Sequence, residues 1–461
     1  MPVPKASRVE ERGLLRELGA SHAAAIVVGT VIGTGIFLVP AEMMQAVGSA
    51  KLVFLAWVVS GVLSFFGALT YAELGSMRPE SGGEYAYLRD AYGPLAGFLD
   101  AWTWFLIAKP ASIASIAVGL VRILRTFTVF AFLSRELLHG PVTFNYGQLL
   151  AIAVTILVTA LNYTGVRKAG DFQLFFTLVK IAIVAAIVLA AFLAGSGSWN
   201  NFGTSFAGAK GGLAGFVAAL VAALWAYDGW NDLNMVAGEV RRPEQNLPIG
   251  LIAGVGAVAA LYMLTNAAVQ YVLPASAVAA SSRPASDALA TALGSGGAAL
   301  VSAGMALSMV VTLNGTVMSG GRVPFAAARD GYFFSALAKV HPRFHTPSVA
   351  LIVQAMLAIM LLLLAPTFQQ LFSLAIFAEW LLYMLTAGTV FIFRRRGEQP
   401  QYRMWGYPIV PVLFIAISAA LLYYTFAQNL RNSMAGLIVI IAGVPVFYAF
   451  ARARRQKLLT Q

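Results

Sequence analysis

The stretch from Ile26 to Phe37 reads IVVGTVIGTGIF, and it decides how the rest of the chain is interpreted. It lies within an apolar segment at positions 20–48, which is longer than the roughly 20 residues that cross a bilayer as one helix. Glycines stand at positions 29, 33 and 35, in the middle of that segment. Small residues are common where membrane helices pack closely, so the glycines fit either a tightly packed helix or one interrupted at mid-membrane.

Composition places the whole chain in a membrane. Of its 461 residues 59% are hydrophobic and 11% are charged, whereas about a quarter of a soluble domain is charged. Stretches such as 181–193 are apolar all round and lack the alternation of a membrane barrel. We therefore predict an all-α polytopic membrane protein with twelve spans. The predicted spans are 20–48, 51–77, 94–124, 146–164, 168–195, 212–238, 247–274, 297–327, 347–365, 368–393, 407–428 and 433–452.

The distribution of basic residues predicts the orientation. With the N-terminus inside, 22 of the 31 Lys and Arg residues fall in cytoplasmic segments and 7 in outer ones. Such a bias sets orientation by the positive-inside rule, so the net charge of +12 reflects topology rather than nucleic-acid binding. Both termini are expected in the cytoplasm. The polar first twenty residues lack the apolar region of a cleavable signal.

Few residue types are available for catalysis or metal binding. The chain has no cysteine, and its four histidines, at positions 22, 139, 341 and 345, show no metal-ligand spacing. No nucleophile and base are paired at membrane depth. We expect neither an enzyme nor a protein that needs a metal or another cofactor.

A second interrupted span favours the interpretation that the first span is also broken at mid-membrane. Residues 223–231 read ALWAYDGWN, with an acid and a glycine at mid-span. Five spans separate the starts of the two segments, so the two cross the membrane in opposite directions. Paired, broken spans at corresponding places in two inverted halves indicate the binding site of a secondary transporter.

Two broken helices offer opposite backbone charges. If span 1 unwinds at Gly33, Thr34 and Gly35, its outer half begins with free N–H groups and a positive dipole end that suit a carboxylate. The first half of span 6 ends at Leu224–Tyr227, where free carbonyls suit an ammonium group. Glycine permits close approach to bare backbone. The simplest ligand for both ends is an α-amino acid.

Each of three side chains near the second break has two possible roles. Trp225 either closes over a bound ligand or only packs. Asn231 either bonds the ligand or satisfies freed backbone groups. Asp228 either caps the second half of span 6 or contacts the substrate ammonium.

Charges inside the membrane are costly and need a reason. Lys180 follows Lys168 by twelve residues, about 18 Å of helix, so it lies near mid-membrane. It either holds the carbonyls of span 1, supplies a fixed charge where another carrier binds a cation, or forms a structural ion pair. Lys109 and Glu379 are candidates for pore lining or an internal pair.

Several motifs together resemble one family. The chain is similar to the L-type amino acid transporters of the amino acid–polyamine–organocation superfamily over nearly its whole length, less so in spans 11 and 12. The motifs that carry the resemblance are VGTVIGTGIF at 28–37, FGALTYAELG at 66–75, SGGEYAY at 81–87, WAYDGWN at 225–231, NLP at 246–248, NG at 314–315 and RDG at 329–331.

The resemblance implies a fold of five plus five inverted helices, with spans 1 and 6 broken, and two extra helices. The first repeat would lie in residues 1–195 with the cytoplasmic N-terminus, the second in 196–395, and spans 11 and 12 with the cytoplasmic C-terminus in 396–461. It also implies sodium-independent exchange of neutral L-amino acids by alternating access. The predicted substrate-binding residues are Ile32, Gly33, Thr34, Gly35, Ile36, Leu224, Trp225, Tyr227, Asp228 and Asn231.

The same resemblance assigns roles within that set. Thr34, Gly35 and Ile36 would hold the carboxylate, and Trp225 matches an aromatic gate. Lys180 matches a lysine that replaces a sodium ion in related members.

Departures from the family pattern refine the expectations. Without a cysteine there is no disulfide-linked heavy chain, so we expect a monomer in a prokaryotic inner membrane. Trp225 stands where several relatives have phenylalanine, which favours small substrates such as alanine or serine. Glu379 aligns roughly with an asparagine of the side-chain pocket, which leaves the exclusion of cationic side chains open.

Two other functions fit the same residues. Asp228 and Glu379 also suit a proton-coupled symporter or a carrier of cationic amino acids or polyamines. A membrane sensor that binds amino acids without transporting them is the alternative from another class, although no sensor domain is visible.

Overall fold

The computed structural model describes residues 13–138, 144–364, 368–428 and 430–459. Lys5, Arg8 and Arg12, which are among the 22 basic residues predicted to be cytoplasmic, lie outside the described residues. The histidine at position 139 does so too. The α-helices are α1 Ala20–Val31, α2 Gly35–Val47, α3 Ala50–Met77, α4 Glu84–Tyr92, α5 Pro94–Thr103, α6 Lys109–Leu124, α7 Tyr146–Tyr163, α8 Val166–Leu193, α9 Gly212–Ala226, α10 Asp232–Met235, α11 Pro243–Val272, α12 Ala275–Ala280, α13 Pro284–Leu293, α14 Ser295–Gly320, α15 Arg322–Arg329, α16 Ser348–Leu364, α17 Phe368–Arg395, α18 Ile409–Gln428 and α19 Leu430–Leu459.

Short elements complete the described chain. A π-helical turn at Trp104–Ala108 joins α5 to α6. Strands β1 Glu136–Leu138 and β2 Phe144–Asn145 pair antiparallel. The 3₁₀ turns are Thr128–Ser134, Trp199–Gly203, Ala237–Glu239 and Ser335–Ala338.

The helical membrane class is confirmed. Within the described residues, nine helical segments are long and apolar enough to cross a bilayer, and the bent pair α1 and α2 brings the number to ten. Two shorter apolar helices, α9 and α16, lie at the predicted sixth and ninth spans. The twelve predicted segments all coincide with helix, while the count of twelve crossings stays a prediction because these two are short.

Both predicted interruptions are present. Helices α1 and α2 meet at an angle of 43° across residues 32–34. Helix α9 ends at Ala226, and a turn containing Gly229 at φ +105° leads into the four-residue α10. That backbone conformation is open to glycine and strained for other residues.

Span 3 contains a deviation that the sequence did not signal. Its π-helical turn lies between Thr103 and Lys109, and such turns recur at functional sites. In a π-helix residues five apart share a face, and the ammonium of Lys109 lies 4.9 Å from the centre of the Trp104 ring. The turn therefore presents both side chains on one side of the span.

Candidate substrate-binding site

One cavity of about 110 Å³ lies where the two broken spans meet. Spans 3, 8 and 10 complete its wall. Its lining residues are Thr30, Val31, Gly33, Thr34, Gly35, Trp104, Lys109, Ser112, Ser115, Ile116, Trp225, Ala226, Asp228, Gly229, Asn231, Asp232, Met309, Thr312, Thr316, Glu379 and Tyr383.

The start of α2 presents unpaired backbone donors. Among the described residues, the N–H groups of Thr34, Gly35 and Ile36 donate no hydrogen bond, whereas that of Phe37 reaches the carbonyl of Thr34 at 3.0 Å. The first N–H groups of any helix lack intrahelical acceptors. Because they also mark the positive end of the helix dipole, they suit an anion such as a carboxylate.

The two half-helices touch at Gly35. A Cβ built there would lie 2.8 Å from the Cβ of Ala226 and 3.0 Å from its Cα. At Gly33, by contrast, the nearest atom to such a Cβ is Thr312 Oγ1 at 4.0 Å. Gly35 thus brings the start of α2 against the end of α9, and Gly33 leaves space in the cavity.

The carbonyls released at the end of α1 are held by side chains from other spans. Lys180 Nζ donates to the carbonyls of Gly29 at 2.8 Å and of Ile32 at 2.6 Å. Ser308 Oγ donates to the Ile32 carbonyl at 2.6 Å, and Thr312 Oγ1 donates to that of Gly29 at 3.1 Å. A buried carbonyl left without a partner is costly, so these donors stabilise the break.

The end of α9 presents the opposite pole. The N–H groups of Tyr227 and Asp228 fold back onto the carbonyls of Leu224 and Trp225, at 3.1 and 3.2 Å. Tyr262 Oη donates to the Ala226 carbonyl at 2.6 Å. Three of the carbonyls that the sequence predicted to be free here, those of Leu224, Trp225 and Ala226, thus already accept a hydrogen bond, from the chain as it turns back after α9 or from Tyr262. The carboxyl end of a helix dipole is still negative, so this end of the cavity suits an ammonium group.

Polar side chains tie the turn after α9 to span 10. Tyr383 Oη donates to Asp228 Oδ1 at 3.0 Å and lies 3.3 Å from Asn231 Oδ1. Asn231 Nδ2 in turn donates to Glu84 Oε1 at 2.9 Å. Asp228 is therefore bonded to Tyr383, while α10 begins after Asn231 without a side-chain cap.

A buried ion pair forms the floor of the cavity. Lys109 Nζ donates to Asp232 Oδ1, and Ser319 Oγ donates to Asp232 Oδ2 at 2.9 Å. Both charged side chains are at most 5% exposed. The pair links span 3 to the second half of span 6.

Further polar contacts close the route toward the face that holds the termini. Arg322 donates to Glu239 through Nε at 2.6 Å and Nη2 at 3.0 Å, and both side chains are fully buried. Arg89 and Tyr85 both donate to Asp330.

The opposite route is open. A vestibule of about 630 Å³ extends from the cavity past Thr34, Trp225 and Met309 to Arg122 and Arg283. The last two residues are exposed, and the charge bias assigns them to the outer face. The described conformation is thus open toward the predicted outer face, with Trp225 between cavity and vestibule.

Eight predicted site residues line the cavity and five do not. Those that line it are Gly33, Thr34, Gly35, Lys109, Trp225, Asp228, Asn231 and Glu379. Those that lie behind it are Ile32, Ile36, Lys180, Leu224 and Tyr227. Their side chains are almost fully buried and do not line the cavity.

Many residues of the cavity wall were not predicted from the sequence. The unpredicted lining residues include Trp104, Ser112, Ser115, Met309, Thr312, Thr316, Asp232 and Tyr383. Hydroxyl residues in a membrane helix commonly bond to their own backbone, so they carry no signal of a site. Asp232 is an exception, since an acid at membrane depth marks a functional residue.

Known proteins resemble the chain over nearly its whole length. The sequence profile of the family described as "Amino acid permease" matches residues 18–444. The chain is 32% identical over 454 residues to the serine/threonine exchanger SteT of Bacillus subtilis, covering 96% of this chain and 99% of that protein. It is 32% identical to the human b(0,+)-type amino acid transporter 1, covering 95% and 88%. It is 30% identical to the mouse Asc-type amino acid transporter 1, covering 95% and 82%.

Proposed function

The chain belongs to the amino acid permeases, in the L-type transporter family of the amino acid–polyamine–organocation superfamily, and we propose that it exchanges small neutral L-amino acids across the cell membrane without sodium. One observation carries the proposal: free N–H groups at residues 34–36 and the carboxyl end of α9 border a single cavity. A zwitterion places one charge at each pole.

Lys180 supports independence from sodium. Its ammonium donates hydrogen bonds to the carbonyls of Gly29 and Ile32. Unwound helices offer such carbonyl oxygens as ligands to a coupling cation. Because the Lys180 ammonium already places a positive charge at these carbonyls, a sodium ion is not needed there.

Cavity size supports small substrates. Trp225 covers the outer side of a cavity of about 110 Å³, which favours alanine, serine or threonine over aromatic amino acids. The name of the Bacillus subtilis relative, a serine/threonine exchanger, points the same way.

We also propose the arrangement of the whole molecule in the membrane. The repeats lie in 1–195 and 196–395, and residues 396–461 add spans 11 and 12. Both termini face the cytoplasm of a prokaryotic cell, and the protein acts as a monomer without a heavy chain, because it has no cysteine for a disulfide to another subunit. It catalyses no covalent reaction.

Counterflow in proteoliposomes tests the function. Labelled L-alanine should enter only when unlabelled L-alanine or L-serine is inside, with equal rates in sodium and potassium buffers. Uptake into empty vesicles driven by a sodium gradient would contradict exchange. Binding of alanine without any counterflow would instead favour a sensor.

A further inference from the structure

The cavity holds more negative than positive charge. Among the described residues that line it, Lys109 is the single cationic side chain, and Asp228, Asp232 and Glu379 are acidic. Lys109 pairs with Asp232. Two carboxylates, Asp228 and Glu379, therefore lack a cationic partner in the cavity wall.

The two differ in what surrounds them. Asp228 accepts a hydrogen bond from Tyr383 at 3.0 Å and follows the α9 end where the substrate ammonium is placed. Glu379 is 5% exposed and makes no hydrogen bond or ion pair among the described residues. It precedes Tyr383 by one helical turn, so both project from the same face of α17 toward Asp228.

Among the side chains that the structure describes, no other charge on the surrounding elements balances Glu379. Lys109 on α6 is already paired, and the remaining ionisable side chains are acids or phenols. These are Asp228, Asp232, Glu84, Tyr71 and Tyr383. An ionised, unpaired carboxylate at membrane depth is strongly unfavourable, and closing the site over a substrate removes the last water. Glu379 consequently needs a positive charge in the closed state.

A neutral amino acid cannot supply that charge. In the proposed binding mode its carboxylate faces the N–H groups of α2 and its ammonium faces α9 and Asp228, which leaves nothing cationic for Glu379. A proton from the vestibule water can neutralise the carboxylate by forming an O–H bond. The ammonium of a short cationic side chain can do so directly.

We propose that Glu379 is a cation subsite, filled by a proton when the substrate is neutral and by the side-chain ammonium when the substrate is a short diamino acid. The inference rests on the proposed amino acid site and adds a substrate class to it. The bound complex with a neutral ligand then holds one proton more on the protein than the complex with a cationic ligand. The proton returns to water when the neutral ligand leaves.

Calorimetry on the purified protein measures this difference. Binding of L-alanine and of L-2,4-diaminobutyrate is titrated at the same mildly acidic pH in two buffers that differ in ionisation enthalpy, which gives the protons exchanged per ligand. The counts for the two ligands should differ by about one. In E379Q the difference should fall to zero, and affinity for diaminobutyrate should drop at least tenfold more than affinity for alanine.

Glu42→Gln is the matched control, since Glu42 is an exposed carboxylate in the outer vestibule, and it should keep the wild-type difference. Equal proton counts in the wild type, failure of diaminobutyrate to bind where alanine binds, or an unchanged difference in E379Q would each overturn the proposal. The wild-type comparison needs no variant, so a misfolded E379Q does not weaken it. Absence of alanine binding in the wild type would refute the proposed function itself.

Discussion

The two glycines of the first break, Gly33 and Gly35, have different structural roles, although the sequence predicted for both that they expose unwound backbone to the ligand. Gly33 faces free space, with its nearest neighbour for a Cβ at 4.0 Å, whereas Gly35 is pressed against Ala226. A methyl group at position 33 would occupy cavity volume without disturbing the contact between the half-helices. A methyl at position 35 would force those half-helices apart.

This difference predicts two distinct phenotypes. Gly33→Ala should keep the wild-type melting temperature and weaken alanine binding about tenfold, a loss of about 1.4 kcal/mol. Gly35→Ala should lower both the melting temperature and the affinity, because overpacking costs about 1–3 kcal/mol. Thermal unfolding and equilibrium binding on the same samples separate the two. Wild-type affinity in Gly33→Ala would show that the ligand does not lie against this residue.

Among the elements, α1 depends on neighbours for its interrupted end. Lys180, Ser308 and Thr312 donate to its last carbonyls, and the hydroxyl of Tyr262, which donates to Ala226, lies 3.0 Å from the carbonyl of Val31. Three of the four carry no charge and stand in spans 7 and 8, far along the chain. An interruption of this kind is stable only where the surrounding protein replaces the missing backbone bonds.

Removal of the lysine should therefore destabilise the break. Lys180→Met leaves two buried carbonyls without their charged donor, and a hydrogen bond to a charged group contributes about 1.5–3 kcal/mol. We expect a clear fall in melting temperature and loss of alanine counterflow. Lys168→Met, an exposed site on the same helix, is the control and should behave as wild type. A stable, active Lys180→Met would contradict the role assigned to Lys180.

The elements also show what sequence could and could not reveal. The interruptions at 32–34 and 227–231 were predictable, because glycine and acid residues are misplaced in the middle of an apolar span. The π-helical turn before Lys109 was not, since residues 104–108 read as ordinary apolar helix. Nor was the pairing of Lys109 with Asp232, because the two are separated by more than a hundred positions and only the fold brings them together.

At the scale of the whole molecule, the conformation has one open side. The vestibule leads from Trp225 to the predicted outer face, while Lys109–Asp232 and Arg322–Glu239 close the other side. Alternating access requires that these inner ion pairs separate as the vestibule closes. Because both pairs are buried, their separation depends on water entering from the side that the charge bias predicts to be cytoplasmic.

A chain without cysteine makes this asymmetry testable. Ala222→Cys lies in the vestibule one turn before Trp225, and Ala328→Cys lies on the closed side. A membrane-impermeant thiol reagent added from outside should label the first and spare the second, and L-alanine should slow labelling of the first. Equal labelling of both, or labelling of Ala328→Cys alone, would contradict the outward-facing assignment.

The central claim is that two helix ends of opposite polarity receive the two charges of one amino acid. An experimental structure with L-alanine bound tests it most directly. We predict that its carboxylate accepts hydrogen bonds from the N–H groups of Thr34, Gly35 and Ile36, with its ammonium toward the end of α9. A ligand bound in the reverse orientation, or bound outside this cavity, would contradict the claim.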